Sequence, residues 1–393
     1  MKGHKTGSSS DRFISRIATL ASIAVFMLIG SILVGYYGGS IFENNFVNSN
    51  STSQAKLPRV RIGFLSAFTG GSSNMGYGEN KGIRLAKKQL AADNIEILQE
   101  DSQCDPNVSP EAFKRLVAQK VIAVIGDGCS SASTAILPLA NKNHIPLISP
   151  SASSPTLSIP NDYFFRVIPP DTFQGSYAAT VAFNRGVRSM AIFFTDEPYG
   201  QAIKDIFKQK FEALGGKIVA TVGAQSDSIG LSSQAKALVN SKPGALFIAP
   251  NSTVSATAII RQTYSLGLRV PLFGGDILYD TTIVKDAPLE TEGLIATSFP
   301  TGSQSFKQAL VNEYQVTEQL YGAAQAYDTF RAIYLATQKG ATTGEQIKSA
   351  LEDISFRGVS GHITFDKNGE ISDPKYKYDL LQVKDGTFIS IDK

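Results

Sequence analysis

Two serine-rich loops carry the first chemical signal in this chain. "VIAVIG" runs into "DGCSSAS", with Ser130, Ser131 and Ser133, and "IPLIS" runs into "PSASSP", with Ser151, Ser153 and Ser154. Each loop ends an apolar run, and a helix-like segment lies between them. A serine in such a place is most simply a helix cap. Capping and binding can coincide, because the first N–H groups of a helix lack intrahelical acceptors and hydroxyls beside them complete a carboxylate site. Ser130–Ser133 opens such a helix, and Ser153 is placed to join it from the neighbouring loop. A complementary group stands far along the chain. Asp276 in "FGGDIL" follows a short apolar run and two glycines, where an acid is either a cap or turn residue or a receptor for an ammonium group. Tyr199 in "TDEPYGQA" opens another helix and either walls a cleft or packs on its own lobe.

Nucleophilic and metal chemistry lack their parts. Serine or cysteine hydrolysis needs a base beside the nucleophile. His144 ends a helix, His362 sits in a terminal β segment, and neither accompanies a G-x-S-x-G elbow. Cys104, Cys129 and the scattered His4, His144 and His362 have no ligand spacing. The expectation is a binder and not an enzyme, without cofactor or metal.

The loops need strands to hold them. From Arg59 the chain alternates "RVRIGFL", "IEILQED", "VIAVIG" and "IPLISP" with helical segments such as "YGENKGIRLAKKQLAAD" and "SPEAFKRLVAQK". After paired prolines in "FRVIPPDT" the alternation resumes through "SMAIFFT", "KIVATVG", "GALFIAP", "VPLFGG" and "GLIATSFP". Alternating strands and helices predict right-handed βαβ units and parallel sheets. The fold class is therefore α/β, with two lobes, each a parallel sheet covered by helices on both faces. Two further helices follow Pro300, and the C-terminus reads as a hairpin-containing β tail with turns at "DKNGE" and "KDG". Residues 58–168 and about 300–345 are assigned to the first lobe, and 169–299 and about 346–393 to the second. Ligands of open α/β sheets sit beyond the carboxyl ends of the strands. That places Ser130, Ser131, Ser151–Ser154, Glu197–Tyr199, Asn251–Thr253 and Asp276 around one cavity.

The formal charge of +3 lies wholly in residues 1–40, where Lys2, Lys5, Arg12 and Arg16 face Asp11 alone. The body is electrically balanced and offers nucleic acid no basic excess. Ile17–Tyr37 is a run of 21 residues without a charge, long enough to cross a bilayer core of about 30 Å. Basic residues precede it, so residues 1–16 are expected in the cytoplasm, 17–37 as an uncleaved anchor, 38–57 as a flexible tether and the body outside the cell or in the periplasm. An even cysteine count in an exported body suggests a disulfide between Cys104 and Cys129.

Several stretches, in order, carry a family resemblance: "IGFLSAFTGGSSNMGYGENKGIRLA", "AVIGDGCSS", "PLISPSASSP", "FRVIPPDTFQG", "TDEPYGQAI", "GLIATSFP", "AYDTFRAI" and "VSGHITFDKNGE". From about Pro58 the body resembles the type I periplasmic solute-binding family, especially the leucine/isoleucine/valine-binding proteins. The pair in "CDP" and "GCSS" is also characteristic of those binders. The resemblance implies an α-carboxylate held by Ser130 and the loop Ser151–Ala152–Ser153, an ammonium held by Asp276, and Tyr199 at the cleft. Two positions depart from the pattern. Met75, with Tyr77 nearby, replaces a first-lobe aromatic, and the aromatic expected after "GALFIA" falls near Asn251–Thr253, at Ser252. The amino-acid clamp is retained and the side-chain pocket is more polar on one side. The expected function is a membrane-tethered solute-binding protein that delivers an amino acid or similar bipolar solute to the permease subunits of an ABC importer. The alternative is a sensing ectodomain acting through a partner membrane protein.

Overall fold

The computed structural model describes residues 58–316, 320–373 and 375–391. The expected cytoplasmic tail, anchor and tether lie outside the described residues. Among the described residues, no helix is long and apolar enough to cross a membrane.

The first part runs β1 (Val60–Ser66), α1 (Ser73–Gln89), β2 (Ile95–Asp101), α2 (Ser109–Ala118), β3 (Ala123–Ile125), α3 (Ser130–Asn143), β4 (Leu147–Ser149) and β5 (Phe164–Arg166). The second runs α4 (Asp171–Asn184), β6 (Ser189–Thr195), α5 (Pro198–Ala213), β7 (Lys217–Ala224), α6 (Ser232–Asn240), β8 (Ala245–Ala249), α7 (Thr253–Ser265), β9 (Leu272–Gly274), α8 (Thr281–Asp286) and β10 (Ile295–Ser298). Then follow α9 (Gln304–Tyr314), α10 (Ala323–Gln338), α11 (Gly344–Glu352), β11 (Ser355–Arg357), β12 (His362–Thr364), β13 (Asp379–Lys384) and β14 (Thr387–Ser390).

The first sheet has the order β2-β1-β3-β4-β5 and is parallel throughout. Central β1 has nearly every residue buried, the continuous apolar run of a strand covered on both faces. Ile62 and Phe64 face α1 and α10 through Ile83, Phe330 and Ile333. Leu65 turns the other way, onto Phe113, Leu116 and Ile136 of α2 and α3. Pro138 lies inside α3 without ending it.

The second sheet has the order β14-β13-β10-β9-β8-β6-β7. Its core is parallel, but β13 and β14 join antiparallel, so this lobe is mixed where a parallel sheet was expected. Phe207, Phe211 and Phe247 pack one face, with the Phe207 and Phe247 rings stacked at 3.9 Å.

The assignment of residues from 346 onward to the second lobe needs correction. Ile347, Leu351, Ile354, Ile363 and Phe365 are buried in the first lobe's core. The chain joins the second sheet only at β13. Alternation in the tail reported strands truthfully but carried no information about which sheet would bury them. The chain thus passes between lobes after β5, after β10 and before β13. Ile168, Phe299 and Tyr378, one from each passage, pack together with Tyr177, Tyr321 and Tyr376 around them.

Candidate ligand-binding cleft

Loops beyond the carboxyl ends of β1, β3 and β4 face those beyond β6, β8 and β9. Between them lies a cavity of about 30 Å³. The lobes touch across it. Ser72 Oγ donates to the Asn251 carbonyl at 3.1 Å, Thr253 Oγ1 to the Gly71 carbonyl at 3.1 Å, and Asn74 Nδ2 to Thr282 Oγ1 at 2.6 Å. The structure is that of a closed cleft.

The first lobe supplies the N-terminus of α3. Cys129 is its cap residue, joined to Cys104 by a disulfide with Cα atoms 5.5 Å apart. Ser130 lines the cavity, and its hydroxyl accepts from Ser154 N–H at 3.1 Å, tying the two serine loops together. Ser151 lines it too, its hydroxyl 3.0 Å from Glu79 Oε1 and 3.1 Å from the Gly128 carbonyl. Gly128 has no room for a side chain: a Cβ there would stand 2.7 Å from Glu79 Oε1, Met75 Sδ and Ser151 Oγ.

Other expected residues turn away. Ser131 donates to the Cys104 carbonyl and is not among the cavity-lining residues. The carbonyl of Ala152 accepts from buried Arg166, while the Ser153 carbonyl accepts from Asp171 N–H. The Ser153 hydroxyl acts on the Asp171 carboxyl rather than lining the cavity. Met75 lines the cavity, but Tyr77 is half exposed and belongs to a separate pocket at the rim with Asn74 and Asp280. Ser252 lines the cavity while capping α7 through Ser255 N–H.

The second lobe presents acid. Asp276 is buried, and both its oxygens accept phenolic hydroxyls, Oδ1 from Tyr199 at 3.2 Å and Oδ2 from Tyr321 of the other lobe. Burial raises the Asp276 pKa, with the Tyr321 hydroxyl the largest opposing influence. Asp171 at the start of α4 is also buried but does not line the cavity, and the Ser153 hydroxyl acts on its carboxyl. Burial drives its pKa well up, and Asp276 drives it further. Glu197 caps α5 by accepting from Tyr199 and Gly200 N–H, and burial pushes it to about 7. Among the described residues, no lysine, arginine or histidine lines the cavity. Buried Arg166 acts on Asp171, so Asp276 is the acid of this group that faces the cavity without a lining cation.

Glu79 lies behind Ser151. It is fully buried on α1, accepts from Ser66 Oγ at 2.6 Å, and is pushed by burial to about 8. Asp127, in the loop before α3, is pushed by burial to about 7. In the floor under the serine loops Glu79 is therefore largely uncharged at neutral pH, while Asp127 is close to half ionised.

Sequence reasoning missed Asp171, Tyr321 and Glu79. Asp171 and Glu79 stand in helices among polar neighbours and read as solvent-facing. Asp171 had one available signal, since it directly follows the paired prolines that mark the passage between lobes.

The family described as periplasmic binding protein matches residues 59–387. The structure is similar to a leucine binding protein from Thermotoga maritima, with TM-score 0.78 and 26% identity, covering 85% of this chain and 98% of that one. It is 23% identical over 329 residues to the leucine-, isoleucine-, valine-, threonine-, and alanine-binding protein of Pseudomonas aeruginosa, covering 79% of this chain and 87% of the relative. An uncharacterized protein of Methanocaldococcus jannaschii is 24% identical over 204 residues, and the match spans about half of each chain, 48% and 49%.

Proposed function

The chain belongs to the periplasmic binding protein family, and from that premise we propose that its two lobes close on an α-amino acid. The observation that carries the reading is buried Asp276 in the cavity wall, without a cavity-lining cation, across the cleft from the N-terminus of α3. The solute's carboxylate sits at that helix end against Ser130 and Ser151, where free N–H groups and hydroxyls converge. Its ammonium sits at Asp276, with the Tyr199 and Tyr321 oxygens beside it. Each lobe satisfies one end of the solute, so the closed form makes both sets of contacts and is selected by binding. Both sets are charge-assisted and are strengthened when closure removes water.

The physiological reading is capture without turnover. The apolar run 17–37 tethers the body to the outer face of the cytoplasmic membrane as a single pass, and the loaded body delivers its solute to the permease subunits of an ABC importer. What supports delivery is likeness to amino-acid binding proteins; what supports tethering is the uncharged run and the basic residues before it.

A thermal-shift screen over amino acids, amides and small carboxylates tests the reading, because a ligand of the folded state raises stability by mass action. The bound solute is expected to be zwitterionic. Asp276→Asn should weaken it by about 2–5 kcal/mol, the usual cost of leaving a buried charge unpaired. Tight binding of a simple monocarboxylate with no loss in Asp276→Asn overturns the reading.

A further inference from the structure

We propose that the enclosed amino acid carries a hydroxyl or carboxamide on its side chain, and that Asn251 reads that group. The inference rests on the amino-acid reading above and extends it to the part of the solute that the clamp leaves undetermined.

With Asp276 and the α3 terminus assigned to the solute's two charged ends, several neutral polar residues stand in the remaining wall, whose surface is otherwise mostly apolar. Ser72, Asn74, Asn251, Ser252 and Thr253 line it, beside Met75 and Ile277. Four of the polar groups are already engaged. Ser72 and Thr253 donate to carbonyls of the opposite lobe, Asn74 donates to Asp280 and Thr282, and Ser252 caps α7. Asn251 differs. Its backbone is fixed on both sides, N–H donating to Thr195 Oγ1 at 2.7 Å and carbonyl accepting from Ser72. Its buried side-chain amide reaches only Cys104 Sγ, at 3.4 Å. Sulfur is a weak acceptor. A rigidly placed carboxamide thus stands at the cavity wall with hydrogen-bonding capacity that the protein itself leaves unused.

That decides among side chains. An aliphatic one would seal this amide from water without giving it a partner, whereas a hydroxyl or carboxamide completes it, and sites built around a buried polar group discriminate against analogues that lack the matching one. An acidic side chain would be buried with no cation among the lining residues. Asp280 is taken by Thr282 N–H and Asn74.

Threonine and valine are nearly isosteric, so their ratio isolates the hydrogen bond. Calorimetry on the full chain in detergent, with L-serine, L-threonine, L-asparagine, L-valine, L-leucine and L-glutamate as probes, gives that ratio. Threonine should bind about ten- to a hundredfold tighter than valine, and glutamate should not bind. Asn251→Leu should bring threonine and valine within about threefold of each other, and Asn251→Ser should keep the preference. Valine binding as tightly as threonine overturns this proposal and leaves the amino-acid reading standing. Failure of every α-amino acid overturns both. If Asn251→Leu does not fold, the parent's threonine-to-valine ratio and Asn251→Ser decide.

Discussion

Replacing Glu79 with glutamine should flatten the decline of stability with pH. The wild-type carboxyl is fully buried and pushed from 4.5 to about 8, chiefly by burial and then by neighbouring Asp127, against hydrogen bonds from Ser66 and Ser151. A folded-state pKa above the unfolded one means that the unfolded chain releases this proton first. The contribution to stability is whole below about 4.5, falls by about 1.4 kcal/mol per pH unit above it, and is exhausted above about 8. Over that interval the loss is about 5 kcal/mol, and between pH 5.5 and 7.5 it is about 2.7 kcal/mol. Glutamine cannot ionise, yet its carbonyl and amide can still meet Ser66 and Ser151. Urea unfolding of the two proteins across pH 5 to 9 measures the difference directly. Whatever glutamine costs in packing is a constant offset, and the titrating acids that do not interact with position 79 cancel; Asp127, which does, is relieved of a neighbouring charge by the same substitution. The free-energy gap should move in favour of Glu79→Gln by about 1.4 kcal/mol per unit up to pH 8 and then level off. Parallel curves would mean that Glu79 is ionised in the folded protein, and the account of an uncharged carboxyl beneath the serine loops would fail.

Two further perturbations follow from the same geometry. Replacing both Cys104 and Cys129 by serine should lower the unfolding free energy by about 3–4 kcal/mol, read by denaturant titration under non-reducing conditions; an unchanged midpoint would show that the bond does not constrain the unfolded chain. Tyr321→Phe removes the hydroxyl that the first lobe donates to Asp276 and should weaken closure by about 1.5–3 kcal/mol. Small-angle scattering should then report a larger radius of gyration without solute, and an unchanged radius would refute the bridge as a closing contact.

The strands and their alternation with helices could be read from the sequence because parallel strands buried on both faces are apolar without interruption, as in "RIGFL" and "ALFIA". The rule that ligands gather beyond strand ends then brought Ser130, Ser151, Tyr199, Ser252 and Asp276 to one place. It did not orient side chains. A shift of one or two positions in a tight loop turns a hydroxyl from the cavity to a partner elsewhere in the protein, which separates Ser130 from Ser131 and Ser151 from Ser153. Asp171 and Glu79 escaped for a different reason. Their burial depends on which helix face meets the other lobe or the sheet, and an acid in a polar helical context gives no periodic sign of it. The placement of α11 and β12 in the first lobe was hidden likewise, since Ile347 and Ile363 declare that they are buried but not where.

The three passages between lobes have a mechanical consequence. Because Ile168, Phe299 and Tyr378 pack as one cluster, the passages cannot flex independently, and relative motion of the lobes is confined to rotation about that cluster. Tyr321 contacts the cluster and also Asp276, so the charged end of the clamp lies close to the pivot. Tyr77 on α1, half exposed at the rim, shares a pocket with Tyr321. Tyr321 thus joins the passage cluster, the acid of the clamp and the exposed rim, so a shift of Asp276 on loading is passed to the surface, where a partner would gauge occupancy without touching the solute.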